Sequence, residues 1–224
     1  MIKGSVEFQA NGYACSAYAA RPESGGLGVI VLHAWWGLTP FFKRLCERLA
    51  ERGYVAFAPD LYGGLTAQTI EQAEQTLDSS DDAYARAAVL ASVEQIKALP
   101  GVKPGRLGVI GFSMGAAWAA RLSVTRSQEI AAAVLFYGAG SGDFSIARTA
   151  YLGHFADPDE WEPIEYVRQM EHDLRAAGRE VVFHFYPGAG HWFFEDDRPD
   201  AFQPQAAALA WQRTLDFLGS HLGG

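Results

Sequence analysis

Residues 105–122 read GRLGVIGFSMGAAWAARL. A short apolar, β-branched run ends at Gly111, and a helix-like run begins at Met114. Between them Ser113 stands in the pattern G-x-S-x-G, flanked at a distance of two by Gly111 and Gly115. A turn this sharp between strand and helix admits only small neighbours and lifts the serine hydroxyl clear of the sheet, as in a nucleophile elbow. The motif alone is common. Its place between a strand and a helix is what gives it weight.

Outward from this stretch, two patterns alternate. Residues 28–33, 54–59, 106–111, 130–137, 149–155 and 180–186 are short, mostly apolar and rich in β-branched side chains. The first five lack a clean period of two, as expected of strands covered on both faces, while the sixth alternates and suits an edge. Helical patterns occupy 39–53, 82–98, 114–126, 163–177 and 204–218. In the first of these Thr39 is placed to cap, Pro40 suits the first helical position and Gly53 the exit. Phe42, Leu45, Cys46 and Leu49 then share one face. The opening residues form a hairpin turning at Asn11–Gly12. Such alternation predicts an α/β fold with a mostly parallel sheet, helices on both faces and an antiparallel hairpin at the start. No linker or repeat divides the chain, so a single domain over residues 1–224 is expected. Ligands in such folds bind at the carboxyl ends of strands.

Composition narrows the function classes. The chain has 224 residues, 49% of them hydrophobic, and a formal net charge of −8. That charge argues against nucleic-acid or anionic-membrane surfaces, which attract Lys and Arg. Two cysteines, Cys15 and Cys46, cannot build a disulfide framework and fit a reducing compartment. With no signal-peptide core near the first residues and no run of ~20 apolar residues, a cytoplasmic protein acting on a small molecule is expected, as a monomer or small homo-oligomer.

A serine nucleophile needs a base, and the base an orienting acid. Of six histidines, His191 in YPGAGHWFF follows the last strand on a Gly-rich loop and comes late in the chain. The order Ser, acid, His is the one this architecture uses. His33, at a strand end, is the competitor. His154 and His184 read as strand residues, His172 as a surface residue and His221 as part of a fraying end. For the acid, ADPDEWEP offers Asp159, which begins a short loop closed by Pro163, with Asp157 as the alternative. YGAGSGD (137–143) imitates a dinucleotide fingerprint, but Asp143 takes the place of the last glycine and no room remains for the required helix. No cluster has metal-ligand spacing. Neither cofactor nor metal is expected.

With these residues in view, the chain resembles the dienelactone hydrolase family of α/β-hydrolases. Four stretches carry the likeness: VIVLHAWWGLTPFFKRLCERLAERGYVAFAPDLYGG (29–64), RLGVIGFSMGAA (106–117), GHFADPDEWEP (153–163) and YPGAGHWFFEDDRPDAF (186–202). The resemblance implies ester or lactone hydrolysis without a cofactor. Its D-x-x-x-P pattern falls on Asp159, and it implies oxyanion donors at the backbone N–H groups of Trp35 and Met114. The chain departs from the family at three points: Ser113 replaces cysteine, Ala34 replaces a glutamate after the early strand, and Glu195 stands where an arginine for a substrate carboxylate is expected. An acid there is expected to repel anionic lactones, which points to a neutral ester. Trp36, Tyr62, Trp161 and Trp192 flank the active-site loops and suit an apolar or aromatic substrate group. Trp118 reads as core.

Overall fold

Asn11 and Gly12 both take positive φ, 48° and 87°, the geometry of a tight two-residue hairpin turn. They join β1 (Ile2–Ala10) to β2 (Tyr13–Arg21), paired antiparallel from Ile2↔Arg21 to Ala10↔Tyr13. The computed structural model describes residues 1–223. Their contacts group into two compact units, Met1–Leu107 and a second from Gly108 onward.

In the first unit, β2 pairs antiparallel with β4 (Tyr54–Pro59), which pairs parallel with β3 (Leu27–Leu32). The helix α1 (Pro40–Glu51) buries Phe41, Phe42, Leu45, Cys46, Leu49 and Ala50, the face set by its apolar spacing. Pro40 opens it as expected, but the Thr39 side chain makes no capping bond. Gly53, at φ 90°, lets the chain leave. α3 (Asp82–Ala98) starts on Asp81, whose carboxylate accepts the Ala83 and Tyr84 N–H groups. Between them lies α2 (Ile70–Ser79), absent from the sequence reading. It buries only Ala73, so no apolar stripe announces it, and the Thr69 side chain caps it by accepting the Gln72 N–H.

The second unit is built on β5 (Leu107–Phe112), β6 (Ile130–Phe136), β7 (Ala150–Asp157) and β8 (Val181–Pro187), adjacent in that order. β6, β7 and β8 run parallel. β5 and β6 are buried along their whole length, and β7 in all but its last residue. β8, with one strand neighbour, shows the mixed exposure of an edge. α4 (Met114–Thr125), α5 (Ile164–Ala176) and α6 (Pro204–Leu222) complete it. α6 extends through His221, where the sequence suggested fraying: His221 Nδ1 donates to the Phe217 carbonyl and Nε2 sits 3.3 Å from Glu180. Trp118, expected in the core, is half-buried, with the Arg121 guanidinium 5.2 Å over its ring.

Candidate active site

Ser113 joins β5 directly to α4 and adopts φ 51°, ψ −116°. A side-chain-bearing residue holds such a conformation only where its surroundings impose it. Three contacts do so. The Ser113 N–H donates to the Phe136 carbonyl of β6 at 2.9 Å, and the Ser113 carbonyl accepts from Ala116 at 2.8 Å. A Cβ on Gly138 would come 2.4 Å from the Ser113 carbonyl oxygen, so the chain after β6 lies flat against the elbow. On the other side a Cβ on Gly111 would meet the Gly115 carbonyl oxygen at 2.2 Å. Glycine at 111 and 138 is therefore a steric requirement of the turn.

His191 reaches the serine from the loop after β8. Its Nε2 lies 2.9 Å from Ser113 Oγ, and its Nδ1 lies 2.9 and 2.8 Å from the two oxygens of Asp159. An ionised carboxylate only accepts, so Nδ1 carries the hydrogen and Nε2 is left to accept from the hydroxyl. Asp159 is oriented in turn by its own loop, its Oδ1 accepting the Trp161 and Glu162 N–H groups at 2.9 and 3.0 Å. Asp157, the alternative acid, is exposed at the end of β7. Its carbonyl accepts the Gly188 N–H, which ties the acid loop to the histidine loop.

Two other histidines, His33 and His154, are engaged elsewhere. His33 is fully buried in the first unit, with Nδ1 donating to the Ala34 carbonyl and Nε2 accepting the Leu61 N–H. His154 is buried between Tyr186 Oη (2.8 Å) and Thr214 Oγ1 (3.1 Å). Burial holds both rings below the usual histidine range.

Of the residues expected to meet substrate, Trp161 and Trp192 gather beside His191. Their rings are 5.3 Å apart, and Trp192 stands edge-on to the imidazole at 4.8 Å. Trp161 is 42% exposed, whereas Trp192 is buried at a φ of 62°. Trp36 and Tyr62 are buried in the first unit, Trp36 against Trp35 and Tyr62 against His33. Trp35 lies in the turn after β3, and Met114 is the first residue of α4. A cavity of about 270 Å³ adjoins Asp159; its apolar lining includes Phe155, Ile164 and Val167, and its charged lining is Asp157, Asp159, Glu162 and Glu165.

One expectation fails on contact with the fold. Glu195 does not present a negative charge to a ligand. It is buried, its Oε1 accepts the Tyr137 hydroxyl at 2.7 Å, and burial pushes its carboxyl up to about 8. Burial thus favours its neutral form and weakens the repulsion of an anion that the sequence suggested.

Two residues at the site escaped the sequence reading. Tyr137, the residue after β6, lies with its ring 5.0 Å from that of His191 and tilted by 55°. Glu162, on the same loop as Asp159, has its carboxyl raised above the ordinary range by burial. The signal for Tyr137 was its position at the carboxyl end of a strand, where functional loops gather.

Comparison with known proteins agrees with this architecture along nearly the whole chain. The profile of the dienelactone hydrolase family matches residues 15–222. Protein usf of Aquifex pyrophilus is 33% identical over 231 residues, covering 97% of this chain and 98% of the relative. A putative carboxymethylenebutenolidase of Aquifex aeolicus is 30% identical with the same coverage. The crystal structure of a putative dienelactone hydrolase from Klebsiella pneumoniae superposes with a TM-score of 0.86 at 27% identity, covering 98% of this chain and 99% of that one. The fold is thus that of the α/β-hydrolases, and the chain belongs to the dienelactone hydrolase family.

Proposed function

We propose that the protein is a serine hydrolase that cleaves carboxylic esters through an acyl-enzyme. One observation carries the reading: an unbroken relay from Ser113 Oγ through His191 to Asp159, every link between 2.8 and 2.9 Å. In the proposed cycle Ser113 Oγ attacks the ester carbonyl as His191 Nε2 takes its proton. Asp159 holds the imidazole in the tautomer that can accept and offsets the charge of the imidazolium. Collapse of the tetrahedral adduct breaks the bond to the alcohol, which leaves with the proton from His191. Water then enters by the same route, its proton going to His191 and its oxygen to the acyl carbon. Release of the carboxylic acid returns the proton to Ser113. The Met114 N–H, first in α4, is the oxyanion donor at the positive end of the helix dipole. The Trp35 N–H is the second donor that the family pattern names.

A fluorophosphonate probe tests the nucleophile. It is expected to label Ser113 alone, and Ser113→Ala is expected to lose both labelling and ester hydrolysis. Folded wild-type protein that resists the probe would overturn the reading.

The substrate side rests on different groups from those expected. Trp161 and Trp192 favour an apolar or aromatic group beside His191. Discrimination against anions then falls to the acidic segment that reaches His191, where Asp157, Asp159 and Glu165 lie close together. Neutral aromatic esters are therefore expected to outrun a carboxylate-bearing dienelactone in kcat/KM by about tenfold or more, the effect of ~1.4 kcal/mol of repulsion. A second reading, lactone hydrolysis by the same residues, draws on the family itself. Preference for the dienelactone in that comparison would establish it and discard the neutral-ester assignment.

A further inference from the structure

Tyr137 and Glu195 form a pair that the proposed chemistry does not use. Tyr137 is fully buried and held in a left-handed conformation, φ 37°, by the hydrogen bond from its N–H to the His154 carbonyl. Its ring lies 5.0 Å from that of His191, tilted by 55°, and its hydroxyl donates to Glu195 Oε1. Glu195 lies four residues past His191 on the same loop, 1% exposed. Its second oxygen, Oε2, has no partner among the described residues. A rigid residue at the end of β6 thus touches the histidine with its ring and anchors the histidine's loop with its hydroxyl.

We infer that the Tyr137–Glu195 hydrogen bond is a positioning latch for His191, tying the histidine's loop to the rigid end of β6. The inference rests on His191 acting as the base in the proposed hydrolysis. A buried carboxylate is tolerable when several donors surround it. Glu195 has one, Tyr137. Of the charges that bear on it, Arg198 favours ionisation, and Asp196 and Asp197 oppose it. Across the bond, Asp159 and Asp197 disfavour charge on the Tyr137 side as well. Burial leaves the proton on Glu195 up to about pH 8. Above that, the carboxylate gains a charge that one hydrogen bond cannot satisfy, and the relief open to it is movement of its loop toward water. That loop carries His191. Loss of the proton at Glu195 therefore misplaces the imidazole, although neither Glu195 nor Tyr137 touches the reacting atoms.

The rate of Ser113 phosphonylation by a fluorophosphonate, followed from pH 6 to 10, reads the serine–histidine couple without a chosen substrate. In the wild type the rate is expected to rise as His191 loses its proton and to fall about tenfold as pH climbs from about 8 to 9.5. Glu195→Gln, which cannot ionise, is expected to lose that fall. Tyr137→Phe keeps the acid but removes the donor that favours its ionised form, so the fall is expected at higher pH. A group that merely filled space would not move this midpoint. The inference is overturned if Ser113 is labelled but the rate stays level to pH 9.5, or if both variants retain the wild-type midpoint. Failure of Ser113 to label at any pH would instead remove the hydrolase reading beneath it.

Discussion

At the scale of single residues, the site is organised by what is missing as much as by what is present. Ser113 keeps its φ of 51° because two glycines leave space for its backbone. Gly138 is the more informative of the two, since it lies outside the G-x-S-x-G pattern. An alanine there would bring its Cβ within 2.4 Å of the Ser113 carbonyl oxygen and 2.9 Å of its carbonyl carbon and Cα. These are backbone atoms, which cannot swing aside as a side chain would. The elbow must shift, and displacement of a nucleophile by about 1 Å can lower a rate ~100-fold. Gly138→Ala is therefore expected to slow phosphonylation of Ser113 by about that factor. Overpacking of this kind lowers stability by ~1–3 kcal/mol. Gly4, with nothing within 4 Å of its absent Cβ, supplies the control: Gly4→Ala is expected to leave the rate alone. Equal effects at both positions would show that the contact with Ser113 is not what matters.

At the scale of elements, legibility followed burial. The strands and most helices were readable because each sinks an apolar face. α1 displays the spacing of Phe42, Leu45, Cys46 and Leu49, and α3 spans the same residues, 82–98, that the pattern gave. α2 was invisible for the same reason in reverse: it rests on one buried alanine and a Thr69 cap. The end of α6 was misread although its last turns bury Phe217, Leu218 and Leu222, an apolar set that carries the helix through His221. The loops holding Ser113, Asp159 and His191 could be found because each follows a predicted strand. The choice between Asp157 and Asp159 was less legible, since two acids two residues apart share one composition. What separates them in space is that the loop folds the Trp161 and Glu162 N–H groups back onto Asp159. Glu195 was the opposite case. Its letter suggested a charge, and only its burial, which no local pattern encodes, pushes the carboxyl up to about 8.

For the molecule as a whole, the net charge of −8 says less about pH behaviour than a few buried groups do. His33 and His154 are held below the ordinary histidine range by burial, so the unfolded chain binds protons that the folded chain refuses. Their contribution to stability is present above about pH 6.5 and is lost as pH falls below it. Glu195 acts in the other direction. Folded, it holds its proton to about 8, against a reference value of 4.5, so it stabilises at low pH and that contribution drains away as pH rises between the two. Glu162, also raised by burial, acts on the side of Glu195, and His184, also lowered, acts on the side of the two histidines. Stability is therefore expected to rise with pH through the histidine range and to decline as pH climbs toward 8, by at most ~1.4 kcal/mol per pH unit for one proton. Glu195→Gln weakens the descending limb and leaves the ascending one, which shifts the maximum to higher pH. Urea unfolding of both proteins at pH 5.5, 6.5 and 8 measures the two limbs separately. A wild-type decline from pH 6.5 to 8 that persists unchanged in Glu195→Gln would assign that limb to other groups and return Glu195 to the status of an ordinary carboxylate.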